Sequence, residues 1–233
     1  MGHMIEIESP DGKFAAYRAD PMHAARRPAV IVLQEIFGVN AVMRGVCDDL
    51  AAKGFLAICP DLFWRIEPGV DITDKSDAEW KKAFDLMNRF DPDTGIIDIQ
   101  RTIDQVRRDR ICNGHVGAVG YCLGGLLAYL TACRTDCEAS VGYYGVNIAK
   151  YADEAKTIKG QLMLHIAGKD QFVDAEAQKA MHAALDPLPN VTLHDYPERD
   201  HAFARIGGDH YDEADAATAN ARTLQFLSAH LQG

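Results

Sequence analysis

Val116-Gly117-Ala118-Val119-Gly120-Tyr121-Cys122-Leu123-Gly124-Gly125 is an apolar run that gives way, at Cys122, to a helical pattern over 123–132. Its first half has the continuous small and β-branched character of a strand buried on both faces. Its second half spaces apolar residues at three and four, as a packed helix requires. A buried strand turning directly into a helix is the repeating unit of a parallel sheet, so the rest of the chain is read for further copies of it.

They are present on both sides. Apolar runs at 29–33, 55–59, 140–144 and 162–166 read as strands. The run at 191–196 alternates with polar residues, as a strand nearer a sheet edge does. Helical spacing recurs at 42–53, 98–108, 175–185 and 214–230. Ile5-Glu6-Ile7 and Phe14-Ala15-Ala16-Tyr17 flank Pro10-Asp11-Gly12 and read as a hairpin. The expected fold is α/β, a mostly parallel central sheet covered by helices on both faces. With no repeat or Pro/Gly-rich linker, residues 4–233 are expected to form one domain, and residues 1–3 read as a cloning scar ahead of Met4.

The stretch 63–95 interrupts this rhythm. It holds both tryptophans, Trp64 and Trp80, with many charges and a weak helix at 78–90. An insertion following the 55–59 strand would lie over the C-terminal edge of the sheet, where α/β proteins bind their ligands.

The 233 residues carry 24 Lys+Arg against 34 Asp+Glu, a net charge of −10, and 48% are hydrophobic. Folding a chain of this size buries about 70% of its unfolded surface, enough for one substantial core. The acidic balance, without a Lys/Arg run, argues against nucleic acid. No apolar window is long enough for a membrane span. The six cysteines (Cys47, Cys59, Cys112, Cys122, Cys133, Cys137) lack the spacing of a disulfide framework. Together with the absence of a basic-then-apolar leader, they are expected to be reduced thiols in a cytoplasmic protein. A monomer is the default expectation.

Gly120-Tyr121-Cys122-Leu123-Gly124-Gly125 is also the strongest chemical signal. A sharp strand-to-helix turn lifts its central side chain above the sheet and requires small neighbours, which Gly120 and Gly124 supply. The helix N-terminus favours a thiolate at Cys122 and aims the Leu123 N–H at a developing oxyanion. A thiol nucleophile needs a base and a group to orient that base. Asp170 follows the 162–166 strand in Gly168-Lys169-Asp170, and Asp174 reads instead as the cap of the next helix. His201, in a loop after the 191–196 strand, is the one histidine of nine that combines a loop position, the right strand and the right chain order. His115, His165 and His194 fall in or at the start of strands, and His182, His210 and His230 in or beside helices.

With these residues in place, the sequence resembles the dienelactone hydrolase family, thiol members of the α/β-hydrolase superfamily. The resemblance is carried by Gln34-Glu35-Ile36-Phe37-Gly38, Pro60-Asp61-Leu62-Phe63, the Cys122 turn, Tyr143-Tyr144-Gly145-Val146, Gly168-Lys169-Asp170 and His201-Ala202-Phe203-Ala204-Arg205. It implies Cys122 as nucleophile, His201 as base, Asp170 as orienting acid, and the Ile36 and Leu123 N–H groups as the oxyanion site. It also implies that Glu35 and Arg205 act, Arg205 on a substrate carboxylate and Glu35 as its resting partner and as acceptor of the Cys122 proton. Trp80, Phe84, Met87, Phe37 and Tyr144 are expected around the substrate. The implied reaction opens the butenolide ring of dienelactone (4-carboxymethylenebut-2-en-4-olide) to maleylacetate, with no metal or organic cofactor. Two departures stand out. The positions aligned with an arginine-bearing helix in the family hold Trp80, Phe84 and Met87, and Ala202 stands where a serine is familiar. The alternatives are an esterase or thioesterase for uncharged small esters, and, from another class, a non-catalytic thiol sensor.

Overall fold

The computed structural model describes residues 2–22 and 25–231. Met1 of the presumed scar lies outside them. Eight strands form one sheet in the order β1-β2-β4-β3-β5-β6-β7-β8. β1 (His3–Ser9) and β2 (Gly12–Ala19) make the expected antiparallel hairpin. β2 also runs antiparallel to β4 (Leu56–Pro60). From β4 onward every pairing is parallel, through β3 (Arg27–Leu33), β5 (Cys112–Tyr121), β6 (Ala139–Tyr143), β7 (Gln161–Ala167) and β8 (Val191–Tyr196). β8 occupies the edge, which explains its alternating sequence.

Strand alternation decides what covers each face. In β5, Gly117 abuts Leu227 and Leu231 of α6 (Glu213–Leu231), whereas Gly120 abuts Gly124 of α4 (Leu123–Arg134). α1 (Ala41–Ala52) shares the α6 face, and α3 (Pro92–Arg107) packs beside α4 on the other. α5 (Ala175–Leu185) begins at Asp174, whose side chain accepts from the Ala177 N–H at 2.8 Å, the capping role read from the sequence. The insertion condenses into α2 (Asp77–Arg89), started by a Ser76 cap. A 3₁₀ stretch, Ile148–Thr157, follows β6 and was not expected from the apolar pattern. No helix among the described residues is long and apolar enough to cross a membrane.

Two buried side chains join the loops at the C-terminal edge of the sheet. Gln34 Oε1 accepts from the Leu62 N–H at 3.0 Å, tying the loop after β3 to the loop after β4. Asp61 accepts from the N–H groups of Phe63 and Gly69, at 3.1 and 2.7 Å, and so folds the start of the insertion back on itself.

Candidate active site

The local geometry at Cys122 follows from its neighbours. Cys122 has φ 57° and ψ −113°, outside the regions that L-residues favour. Strain of this kind amounts to about 1–3 kcal/mol and persists only where the surroundings enforce it. Here they do. The Cys122 N–H donates to Tyr143 O at 3.1 Å, and Cys122 O accepts from Gly125, Leu126 and Val146. A side chain on Gly120 would place its Cβ 1.9 Å from Gly124 O, and one on Gly124 would place it 2.1 Å from Leu33 O. The glycines are there because backbones meet at that distance.

Four loops at the same edge deliver the remaining groups. The loop after β7 carries Asp170 and the loop after β8 carries His201, whose Nδ1 lies 2.8 Å from Asp170 Oδ2. Both side chains are buried. Burial opposes a charge on His201, but the neighbouring Cys122 sulfur and Asp170 override it and lift the imidazole to about 10. Tyr144, in the loop after β6, packs edge-on against His201, and Phe172 does the same from the other side. Ala202, next to the histidine, has φ 63°, and its carbonyl accepts from the Arg205 N–H at 2.9 Å, which turns the chain so that Arg205 points back into the site.

The loop after β3 supplies Glu35. Its Oε2 lies 3.3 Å from Arg205 Nη1, while Asp74, from the insertion, lies 3.2 Å from Arg205 Nη2. The guanidinium also rests over the Phe37 ring, 5.3 Å from its centroid. Burial pushes the Glu35 carboxyl up, against the pull of Arg205. Its second oxygen, Oε1, is buried with no hydrogen-bond partner among the described residues, an arrangement that costs about 1–3 kcal/mol if nothing else satisfies it. Among the described residues, no backbone hydrogen bond outside the helices and strands uses the Ile36 or Leu123 N–H.

A cavity of about 200 Å³ opens over Cys122, with Ile36, Phe37, Trp80, Phe84, Met87 and His201 among its walls. Arg205 reaches it as well. Trp80 stacks on Phe84 and meets Phe37 edge-on, so the insertion forms an aromatic side to the cavity. The expected residues thus gather at one place, although Leu123, Asp170, Tyr144 and Glu35 do not line this cavity. Tyr144 lies beside His201, and Glu35 is reached from the far side of its pair with Arg205. The sequence reading missed Asp74, Phe172, Val146 and Asn147. Phe172 is two residues from Asp170, a proximity that could have drawn notice, and Asn147, at φ 60°, sits in a turn that favours asparagine. Nothing in the spacing of Asp74 connects it to Arg205.

Residues 14–231 match the family model described as "Dienelactone hydrolase family". The chain belongs to that family. A "Putative carboxymethylenebutenolidase" of Azospirillum brasilense is 48% identical over 232 residues, covering 98% of this chain and 100% of the relative. The "Carboxymethylenebutenolidase" of Pseudomonas putida is 37% identical over 225 residues, covering 96% of this chain and 95% of the relative. Among solved structures, a putative dienelactone hydrolase from Klebsiella pneumoniae superposes with a TM-score of 0.87 at 26% identity, over 98% of both chains. Membership in the dienelactone hydrolase family makes this chain a hydrolase of carboxylic esters, lactones included, and its mixed eight-stranded sheet is the α/β-hydrolase fold.

Proposed function

We propose that this protein opens a small lactone by acyl transfer through Cys122, with His201 and Asp170 completing a triad. The observation that carries the reading is the buried His201–Asp170 bond of 2.8 Å beside a strained Cys122 at the head of α4. In the first half-reaction the Cys122 thiolate adds to the ring carbonyl carbon. The oxyanion is held by the Ile36 and Leu123 N–H groups. Its collapse breaks the ring C–O bond, leaving a thioester and an enolate that takes the proton Glu35 accepted from Cys122. In the second, His201 takes a proton from water, the resulting hydroxide adds to the thioester, and collapse releases the carboxylic product and the Cys122 sulfur, which takes the proton back from His201. Asp170 holds the imidazole in the orientation both steps require. Glu35, buried and drawn towards its neutral form, is the acceptor proposed for the Cys122 proton when a substrate separates it from Arg205. Dienelactone, with maleylacetate as product, is the natural substrate by analogy with the named relatives.

A second reading, an esterase for uncharged small esters, is favoured by one observation: Arg205 already faces two carboxylates, Glu35 and Asp74. A substrate carboxylate would have to compete with them. The ultraviolet absorbance of cis- and trans-dienelactone, followed with wild type and Cys122→Ala, tests both. Turnover that vanishes in the variant supports the lactonase. An enzyme inert on both isomers that cleaves neutral aryl esters through Cys122 supports the second reading. Activity surviving in Cys122→Ala overturns the thiol mechanism.

A further inference from the structure

Among the described residues, four other than glycine have a positive φ: Cys122, Tyr144, Asn147 and Ala202. All four stand at or beside the site, and strain of this kind persists only where neighbours enforce it. Enforcement comes through the peptide unit on either side, since φ and ψ are the only soft backbone dihedrals of a residue. At Cys122 backbone groups fix both units. Ala202, at φ 63°, is fixed in part by a side chain.

The unit after Ala202 is held by the Arg205 N–H, which donates to Ala202 O at 2.9 Å. The unit before it is held by His210, whose Nδ1 lies 3.1 Å from His201 O. A carbonyl only accepts, so Nδ1 carries a proton. Asp200 stands beside this contact. Its Oδ2 is 3.7 Å from His210 Nδ1, and its Oδ1 accepts from the N–H groups of His201 at 2.6 Å and Gln171 at 3.3 Å. With Asp170 on its Nδ1, His201 has every polar atom but Nε2 engaged.

We propose that His210 is a positioning residue for the reaction. Its hold on His201 O keeps Ala202 at positive φ, and that turn sets His201 on one side and Arg205 on the other. His210 does not line the cavity over Cys122, so it acts through the backbone. Alanine carries a Cβ that disfavours this φ. Once the carbonyl is released, Ala202 relaxes towards negative φ, the peptide unit before it turns, and the imidazole is drawn away from Asp170 and Cys122. His210 matters to turnover only if His201 is the base, so this role rests on the thiol mechanism proposed above.

Two substitutions isolate the bond. His210→Ala removes the donor, and His210→Asn returns an amide N–H near the place of Nδ1. The side chain is exposed, so neither substitution empties the core. Two measurements read the result: kcat with 4-nitrophenyl acetate, and the NOE between the Hα and amide proton of Ala202, which is strong when φ is positive. In His210→Ala, kcat is expected to fall about 10-fold, because small misplacements of a reacting group slow the chemistry, and the NOE to weaken. In His210→Asn both should return, with kcat within about 2-fold of wild type. The proposal is overturned if His210→Ala turns over within about 2-fold of wild type, if its kcat falls while the NOE is unchanged, or if His210→Asn is as impaired as His210→Ala. Failure of the thiol mechanism looks different: Cys122→Ala then keeps its activity, and the Ala202 NOE still reports, without turnover, whether His210 holds the turn.

Discussion

Asp74 lies 3.2 Å from Arg205, on the guanidinium nitrogen opposite the one that faces Glu35. A single cation is therefore held between two carboxylates, one from the loop after β3 and one from the insertion. Both acids and the arginine are largely shielded from water, so their mutual attraction is screened less than at the surface. An arginine can hold a substrate carboxylate bidentately, but here that geometry is already in use. Asp74→Asn should release one side of the guanidinium. The expected result is a rise of about 10-fold in kcat/KM for dienelactone relative to its methyl ester. The ratio of the two catalytic efficiencies, measured in wild type and variant, checks this, and an unchanged ratio removes Asp74 from substrate selection.

The His201–Asp170 bond leads to a second expectation. Asp170→Asn retains the size of the side chain but no longer favours the imidazole tautomer and charge that the reaction needs. Loss of an orienting acid in this arrangement lowers kcat by about 10⁴-fold. KM should move far less, because Asp170 is screened from the cavity by His201. Steady-state kinetics on any ester the enzyme accepts will separate the two constants.

A third prediction concerns charge. His201 is lifted to about 10 although burial opposes it, and the Cys122 sulfur is the largest of the influences that raise it. Replacing the thiol by a hydroxyl in Cys122→Ser removes that influence, so the His201 titration should fall towards the ordinary histidine range, near 6.5. The imidazole proton resonances, followed against pH in both proteins, report it directly. The sign for stability follows from the same shift. A histidine whose folded pKa is raised contributes its full stabilisation below the unfolded value of about 6.5, and that contribution is lost as pH rises towards 10. An unfolded cysteine keeps its own proton up to about 8.5, so urea midpoints should decline in wild type mainly between about pH 8.5 and 10 and decline less in Cys122→Ser.

Much of this arrangement was legible in the chain because it is encoded locally. The turn at Cys122 is announced by two glycines flanking one residue between an apolar run and a helical one, and the structure places backbone atoms where their side chains would be. The helix at Ala175–Leu185 and the strand at Val191–Tyr196 have the bounds that spacing and capping predict. Asp170 and His201 were found by chain order, because in a parallel sheet the loop after each strand must open on the same edge. What escaped was non-local. Asp74 and Arg205 are 131 positions apart in a region without regular periodicity, and the 3₁₀ stretch at Ile148–Thr157 has no apolar rhythm of its own. The free oxygen of Glu35 is likewise a property of packing, since sequence does not show which of two carboxylate oxygens finds a partner.

The glycines themselves give the last prediction. Gly124→Ala would set a methyl group 2.1 Å from Leu33 O, against backbone that β3 holds in the centre of the sheet. Neither side can yield cheaply, since Leu33 pairs with Gly120 in β5 and Gly124 belongs to the first turn of α4. Overpacking of this kind costs about 1–3 kcal/mol, and contact with backbone places it at the upper end. Gly45→Ala is the matched control. It makes the same substitution in a helix where the new methyl meets nothing within 4 Å, and it should stabilise by about 0.5–1 kcal/mol. Urea unfolding of the two variants should therefore move in opposite directions from wild type. The activity of Gly124→Ala should fall further than its stability alone explains, because relieving the clash moves the helix end that holds Cys122. If Gly124→Ala unfolds at the wild-type midpoint with its activity intact, the close approach of β3 and α4 does not hold Cys122 in place.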